Sequence, residues 1–339
     1  MIPYEPSASP DSSVRGRGYF SQVARLVLRG ALLVVPAVWL AGKLHPVALI
    51  GAMGQLGFVP LVSSLALVLL CFAAGALRWQ ILLRAYGGVG VPRFGVLLRH
   101  LLVGFYFNLL PGSVAGEAVR AHRVRKVFAD GATTYLVVLA DRLMGLAGLA
   151  ALAALTLCGA DLPIRLPRAV VVLGILFTAT AALGGLLAPA VIERSAALRR
   201  ILQRLPGAGA QLAALRAPHG KMTIVTAGAL SLCTQICVAL ACAVLVIYAA
   251  PVADPVMVIR LAPFVVLLTF IPLTPGGFGQ REAVFAATFA LAGAPEDASV
   301  VAGLALFAVG LPIALAGAAC LALERLGVFV EPAFDSSSK

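Results

Sequence analysis

Apolar runs of membrane-spanning length recur along the chain, and they leave few folds open to it. They cover Leu26–Gly42, Leu56–Leu77, Gly131–Gly159, Ala169–Ile192, Met222–Ala250 and Val300–Leu323. A transmembrane helix needs about 20 apolar residues, and within lipid only helices and closed barrels satisfy their own backbone. The runs are continuous rather than alternating, which excludes a barrel. The chain is 61% hydrophobic and 12% charged over 339 residues. A soluble domain is about 25% charged, and one soluble core stops growing near ~250–300 residues. Soluble enzyme, disordered chain and disulfide scaffold are excluded together. The fold class expected is all-α: a polytopic integral membrane protein.

Position gives the charges their meaning. The net charge is +12, from 26 Lys+Arg against 14 Asp+Glu. In a soluble protein that excess suggests nucleic acid, but membrane proteins collect Lys and Arg in cytoplasmic loops. With the N-terminus inside, 20 cations fall on the cytoplasmic side: four in the N-tail, eight in 78–126, six in 193–221, and Arg325 with Lys339. Five fall outside (Lys43, Arg165, Arg168, Arg260, Arg281), and Arg142 lies within a span. The expected protein is therefore multi-pass in the inner (plasma) membrane with both termini cytoplasmic and no nucleic-acid partner. Residues 1–22 read as a disordered cytoplasmic tail, 23–325 as the membrane domain and 326–339 as a short C-terminal tail. Within the domain, 193–221 reads as a basic cytoplasmic linker. Arg78-Trp79, closing the second run, reads as a cationic and aromatic interface anchor.

Two apolar stretches are too short to cross. Eleven residues separate Arg99 from Pro111, about 17 Å of helix against a ~30 Å hydrocarbon core. Val256–Leu273 similarly leads into a Pro-Gly break, and Arg281–Gly293 after it is too short to span. Each reads as a re-entrant helical hairpin, giving about six full crossings and two hairpins. The breaks resemble one another. Asn108-Leu-Leu-Pro111-Gly112 leads to Gly116-Glu117-Ala-Val-Arg120, and Pro275-Gly276-Gly277-Phe-Gly279 leads to Gln280-Arg281-Glu282-Ala-Val. The two glutamates stand 165 residues apart. Hairpins on opposite sides make this an expected inverted repeat, the layout of many transporters, whose site lies where the broken helices meet.

Pro stops a helix and Gly lets backbone approach closely. The amides opening the next helix then form an anion nest. Glu117 and Arg120 are i, i+3 neighbours able to pair, and Arg123, Arg125 and Lys126 gather nearby. The same residues also serve geometry alone, Pro and Gly kinking the hairpins and the glutamates capping helix starts. Asp141-Arg142 lies well inside a span, where charges are costly and face the bundle interior. Each therefore needs a partner elsewhere, Glu117 and Arg120 being candidates. That reads either as headgroup binding or a protonation switch, or as a structural ion pair. Gly145 and Gly148 suit close helix packing. The six cysteines lack C-x-x-C and the four histidines (45, 100, 122, 219) lack ligand spacing; neither a metal nor a cofactor is expected.

These motifs (N-L-L-P-G-x-x-x-G-E-x-x-R, D-R-x-x-G-L at 141–146 and P-x-T-P-G-G-x-G-x-R-E) resemble the lysylphosphatidylglycerol synthase transmembrane (flippase-like) family over about residues 25–325. Trp79 after Arg78 also fits. Glu117 stands where an Asp is frequent, keeping the carboxylate. The family is named for proteins that join this membrane region to a soluble aminoacyl-transferase domain. Residues 324–339 are too few to supply it, so the resemblance implies the lipid-translocating half without synthase activity. By motif position it implies a lipid site of Asn108, Glu117, Arg120, Asp141, Arg142, Arg281 and Glu282. Pro111, Gly112, Gly116, Pro275, Gly276, Gly277 and Gly279 form the breaks around them. The expected function is a flippase or transporter for an anionic or phosphate-bearing lipid. The alternatives are a membrane lipid-modifying enzyme, against which stands the lack of D-x-D, H-E-x-x-H and G-x-S-x-G, or an accessory subunit of a lipid or polysaccharide synthesis complex. A homo-oligomer is compatible with any of these.

Overall fold

A computed structural model describes residues 54, 56–108, 115–129, 131, 133–157, 220–270 and 280–328. Every regular element among them is helical. In chain order they are α1 (Phe58–Ala85), α2 (Phe94–Asn108), α3 (Ala115–Arg123), α4 (Thr133–Leu157), α5 (Gly220–Ala249), α6 (Pro255–Thr269), α7 (Gln280–Phe289) and α8 (Glu296–Arg325). One-turn 3-10 segments, Arg125–Val127 and Ala290–Ala292, follow α3 and α7. Among the described residues, four helices are long and apolar enough to cross a membrane: α1, α4, Val225–Ala249 of α5, and α8. The expected spans Leu26–Gly42 and Ala169–Ile192, the N-tail, the linker up to residue 219 and the tail from residue 329 lie outside the described residues. So do Pro111, Gly112, Pro275, Gly276, Gly277 and Gly279.

Local chemistry sets several boundaries. Asp254 caps α6 by accepting from the Val256 amide at 2.9 Å, and Pro255 follows at N1, where its missing N–H costs nothing. Glu296 and Asp297 stand in the first turn of α8 and Arg325 in its last, each sign matched to the helix dipole. Pro263 and Pro312 lie inside α6 and α8, as apolar membrane helices tolerate.

The second run ends later than the sequence suggests. Arg78-Trp79 does not mark an interface: α1 continues to Ala85, Arg78 is 8% exposed and Trp79 fully buried. The physical reason is that Arg78 finds a carboxylate inside the bundle, so its guanidinium turns inward to Asp141.

The element order recurs. A long helix, a 15-residue helix, a short helix, a 3-10 turn and a second long helix occur first as α1–α4 and again as α5–α8. The packing recurs with it: α2 lies against α8, and α6 lies against α4. The equivalent helices α1 and α5 share the most extensive helix contact, and they run antiparallel. Ser64 near the start of α1 donates to the Ala241 carbonyl near the end of α5 at 3.1 Å. At the opposite end Leu82 clusters with Ala227.

Small residues make the close crossings, as expected where packing rather than hydrophobicity drives association in lipid. A Cβ on Gly317 of α8 would overlap the Leu102 carbonyl of α2, and one on Gly148 of α4 would come within 2.8 Å of the Ser231 hydroxyl of α5. Ser231 donates to the Met144 carbonyl at 2.6 Å. Gly148 thus has the close-packing role expected of it, whereas a Cβ on Gly145 would meet Gln235 only at 3.5 Å, an ordinary contact.

A candidate lipid-headgroup site at the helix breaks

Both breaks are bridged by an amide side chain. Asn108, closing α2, accepts from the Gly116 amide through Oδ1 at 3.1 Å. Gln280, opening α7, donates through Nε2 to the Leu268 carbonyl at 3.3 Å. The helix ends on either side of each break are therefore held together. Gly116 is required at the first: a Cβ there would overlap the Gly104 carbonyl and Asn108 Oδ1.

Beside the first break lies a buried ionic network. Asp141 of α4 is 2% exposed and both its oxygens are engaged. Arg78 Nε donates to Oδ1 and Arg120 Nη2 to Oδ2, each at 2.7 Å. Such short charge-assisted bonds are roughly twice as strong as neutral ones. Arg78 also approaches the Thr234 hydroxyl of α5 at 3.5 Å, and the Arg120 guanidinium lies 4.5 Å from the Trp79 ring centroid, a cation–π contact within a desolvated core. Glu117, in the first turn of α3, accepts from Arg142 Nη2 through Oε1 at 2.8 Å, while its Oε2 lies 3.5 Å from Arg120 Nη1. The pairings expected of Asp141 and Arg142 are present, and α3 and α4 supply both.

Arg142 also faces the other half of the chain. Its guanidinium stands 5.6 Å from the Phe270 ring, at the end of α6 where the second break begins. One arginine thus touches the helix that leaves the first break and the helix that enters the second. The Arg142 side chain is 33% exposed, against 10% for Arg78 and 7% for Arg120.

The structure therefore brings Asn108, Gly116, Glu117, Arg120, Asp141 and Arg142 together. Arg281 and Glu282 open α7, where Arg281 lies 5.7 Å from the Phe307 ring of α8. The sequence reading missed Arg78, Trp79 and Phe270 as members of the site. One signal was available: Ile81, Leu82 and Leu83 continue the apolar pattern past Trp79, placing Arg78 inside a helix rather than at its end. A second ionic group lies farther along α3. Arg123 Nη1 donates to both Glu324 oxygens, at 3.0 and 2.8 Å, and contacts His100 Nδ1 at 3.2 Å.

Chemically, the main network offers guanidinium donors and a helix start in an apolar bundle, an arrangement suited to holding an anion. Among the described residues, no group of three or more His, Cys, Asp and Glu is placed to hold a metal ion.

Comparison with known proteins places this geometry in a family. No curated protein and no solved structure matches the chain. The family described as the lysylphosphatidylglycerol synthase TM region matches residues 26–317, most of the sequence. With its apolar helices, this multi-pass membrane protein belongs to the lysylphosphatidylglycerol synthase transmembrane-region family.

Proposed function

We infer that the protein moves an anionic or phosphate-bearing lipid across its membrane, holding the headgroup between the two broken helices. One observation carries the reading: Arg142 contacts both Glu117, at the start of α3, and Phe270, at the end of α6. Charged side chains cost several kcal/mol inside a membrane and mark substrate paths when they are kept. Five of them gather here: Glu117 and Arg120 on α3, which leaves the first break, Arg78 on α1, and Asp141 and Arg142 on α4. Arg281 and Glu282, opening α7, form the second break's contribution to the same site.

The α2–α3 and α6–α7 pairs act as re-entrant hairpins of an inverted repeat. Support comes from the recurring element order, the exchange-matched packing of α2 on α8 and α6 on α4, and the antiparallel α1–α5 seam. Two such halves rocking about a fixed site expose it to each side in turn. The membrane is the inner one, with both termini cytoplasmic, in accord with the distribution of Lys and Arg.

The test is headgroup translocation by the full chain in proteoliposomes, using fluorescently labelled phosphatidylglycerol and dithionite quenching. Arg142→Gln and Arg281→Gln should each lower the rate at least tenfold while the protein still elutes as a folded species. Unchanged translocation in both variants would overturn the assignment.

A further inference from the structure

The ionic network has a saturated part and an unfinished part. Asp141 is fully engaged, each oxygen meeting an arginine at 2.7 Å. Glu117 is not. Only its bond to Arg142 is short; Oε2 lies 3.5 Å from Arg120 and, among the described residues, has no hydrogen-bond partner. Arg120 Nε has none either, although Arg120 is 5% exposed. Buried polar atoms are nearly always satisfied, so a neighbouring orphan donor and orphan acceptor call for an explanation. Arg142, the cation that Glu117 holds, is also the most exposed arginine of the network.

We propose that Glu117 is a resident counter-ion that a lipid phosphodiester displaces from Arg142. This rests on the headgroup-site reading and specifies its ligand: a monoanionic phosphodiester. Like the carboxylate it replaces, that group carries one negative charge and two terminal oxygens. One oxygen takes over the Arg142 donor and the other meets the unused Arg120 Nε–H. Glu117 swings toward the wet side of Arg142, so the charge in contact with the arginines is unchanged by the exchange. The cluster therefore avoids the penalty of an unpaired buried ion in both states. A zwitterionic headgroup fits less well, because its ammonium is repelled by the same arginines. An internal competitor also weakens binding on purpose, letting the headgroup leave on the far side.

The experiment measures binding of dioctanoyl phosphatidylglycerol, dioctanoyl phosphatidylcholine and inorganic phosphate to the full chain in detergent, by calorimetry. Removing the competitor should tighten binding. Glu117→Gln is expected to bind the anionic lipid at least tenfold more tightly than the wild type, with little change for phosphatidylcholine. Arg142→Gln should lose the preference for the anionic lipid, and Glu117→Gln should not restore it in the double variant. Glu117→Asp, which keeps the charge but shortens its reach, should tighten binding about threefold and serves if the Gln variant does not fold. Weaker or unchanged binding in the Gln variant, or in the Asp variant where that one is read, overturns the proposal. Inorganic phosphate binding as tightly as the lipid overturns the lipid source. Translocation is scored separately. Tighter binding with no wild-type translocation refutes transport and keeps the counter-ion; wild-type translocation without tightening does the reverse.

Discussion

Asp141 offers the most direct test of how the first half is held together. Its carboxylate joins three helices, α4 through its own backbone, α1 through Arg78 and α3 through Arg120, at 2.7 Å on each oxygen. Asp141→Asn is nearly isosteric, so packing survives. The charge is lost, and the amide nitrogen faces one guanidinium as a donor against a donor. Two cations, 8% and 5% exposed, are then left with Glu117 at 3.5 Å from one of them. Removing one partner of a buried pair costs about 3–5 kcal/mol, so about 4 kcal/mol is expected, near a thousandfold in the folded-to-unfolded ratio. The assay is equilibrium unfolding of the purified chain in mixed micelles with rising dodecyl sulfate, followed by helix content. Replacing the triad by apolar residues of similar size (Arg78→Met, Arg120→Met, Asp141→Leu) should recover most of the loss, since the penalty belongs to the uncompensated charge. A loss under about 1 kcal/mol for Asp141→Asn would refute the reasoning, because the arginines would then have another source of compensation.

Three further outcomes follow from contacts elsewhere. Gly116→Ala should cost about 2–3 kcal/mol by overpacking, because its Cβ overlaps the Gly104 carbonyl and the Asn108 side chain; thermal unfolding in detergent reads it. Gly148→Ala should cost about 1 kcal/mol in the same measurement, since the Ser231 hydroxyl must turn away and give up its 2.6 Å bond to the Met144 carbonyl. Glu324→Gln should loosen the contact between α3 and the end of α8 by removing a bidentate charge partner of Arg123, and hydrogen exchange should quicken at 115–123 and 320–325 while α1 is unaffected.

The sequence carried the four described spanning helices and three of the five described ion pairs. Long apolar runs with few charges identify the spans, because the lack of alternation excludes a barrel and leaves the helix as the backbone arrangement that survives in lipid. Glu117 and Arg120 were legible because i, i+3 spacing on one helix is a local property. Asp141 and Arg142 were legible because a charge inside an apolar run must find a partner. Their partners sit on a helix 21 to 25 residues away, within reach of a guess. Arg78 was not legible as a partner. It lies 63 residues before Asp141, and an arginine near the end of an apolar run has two outlets, the interface or the bundle. Only the tertiary packing of α1 against α3, α4 and α5 decides between them. Phe270 was missed for a related reason: an aromatic residue in an apolar helix carries no mark of the cation that will stand over it.

The described segments α1–α4 and α5–α8 share an element order but differ at the residue that follows Glu-Ala-Val. Glu117-Ala-Val is followed by Arg120, and Glu282-Ala-Val by Phe285. In the first half that fourth position is a cation bound to Asp141 and lying on Trp79. In the second it is a phenyl ring, 1% exposed, stacked edge-on against Phe289 and packed with Cys242, Ala302 and Ala305. At this position the two similar segments differ in chemistry, an arginine in one and a phenyl ring in the other. The guanidinium at the fourth position meets a carboxylate on the next long helix; the phenyl ring packs among apolar neighbours instead. Among the described residues, α6 adds the Phe270 ring beside Arg142, while the position after Glu282-Ala-Val is apolar where its counterpart after Glu117-Ala-Val is ionic. Replacing Phe285 with arginine should not reproduce the first-break network, because the ring's place lies among Cys242, Phe289, Ala302 and Ala305.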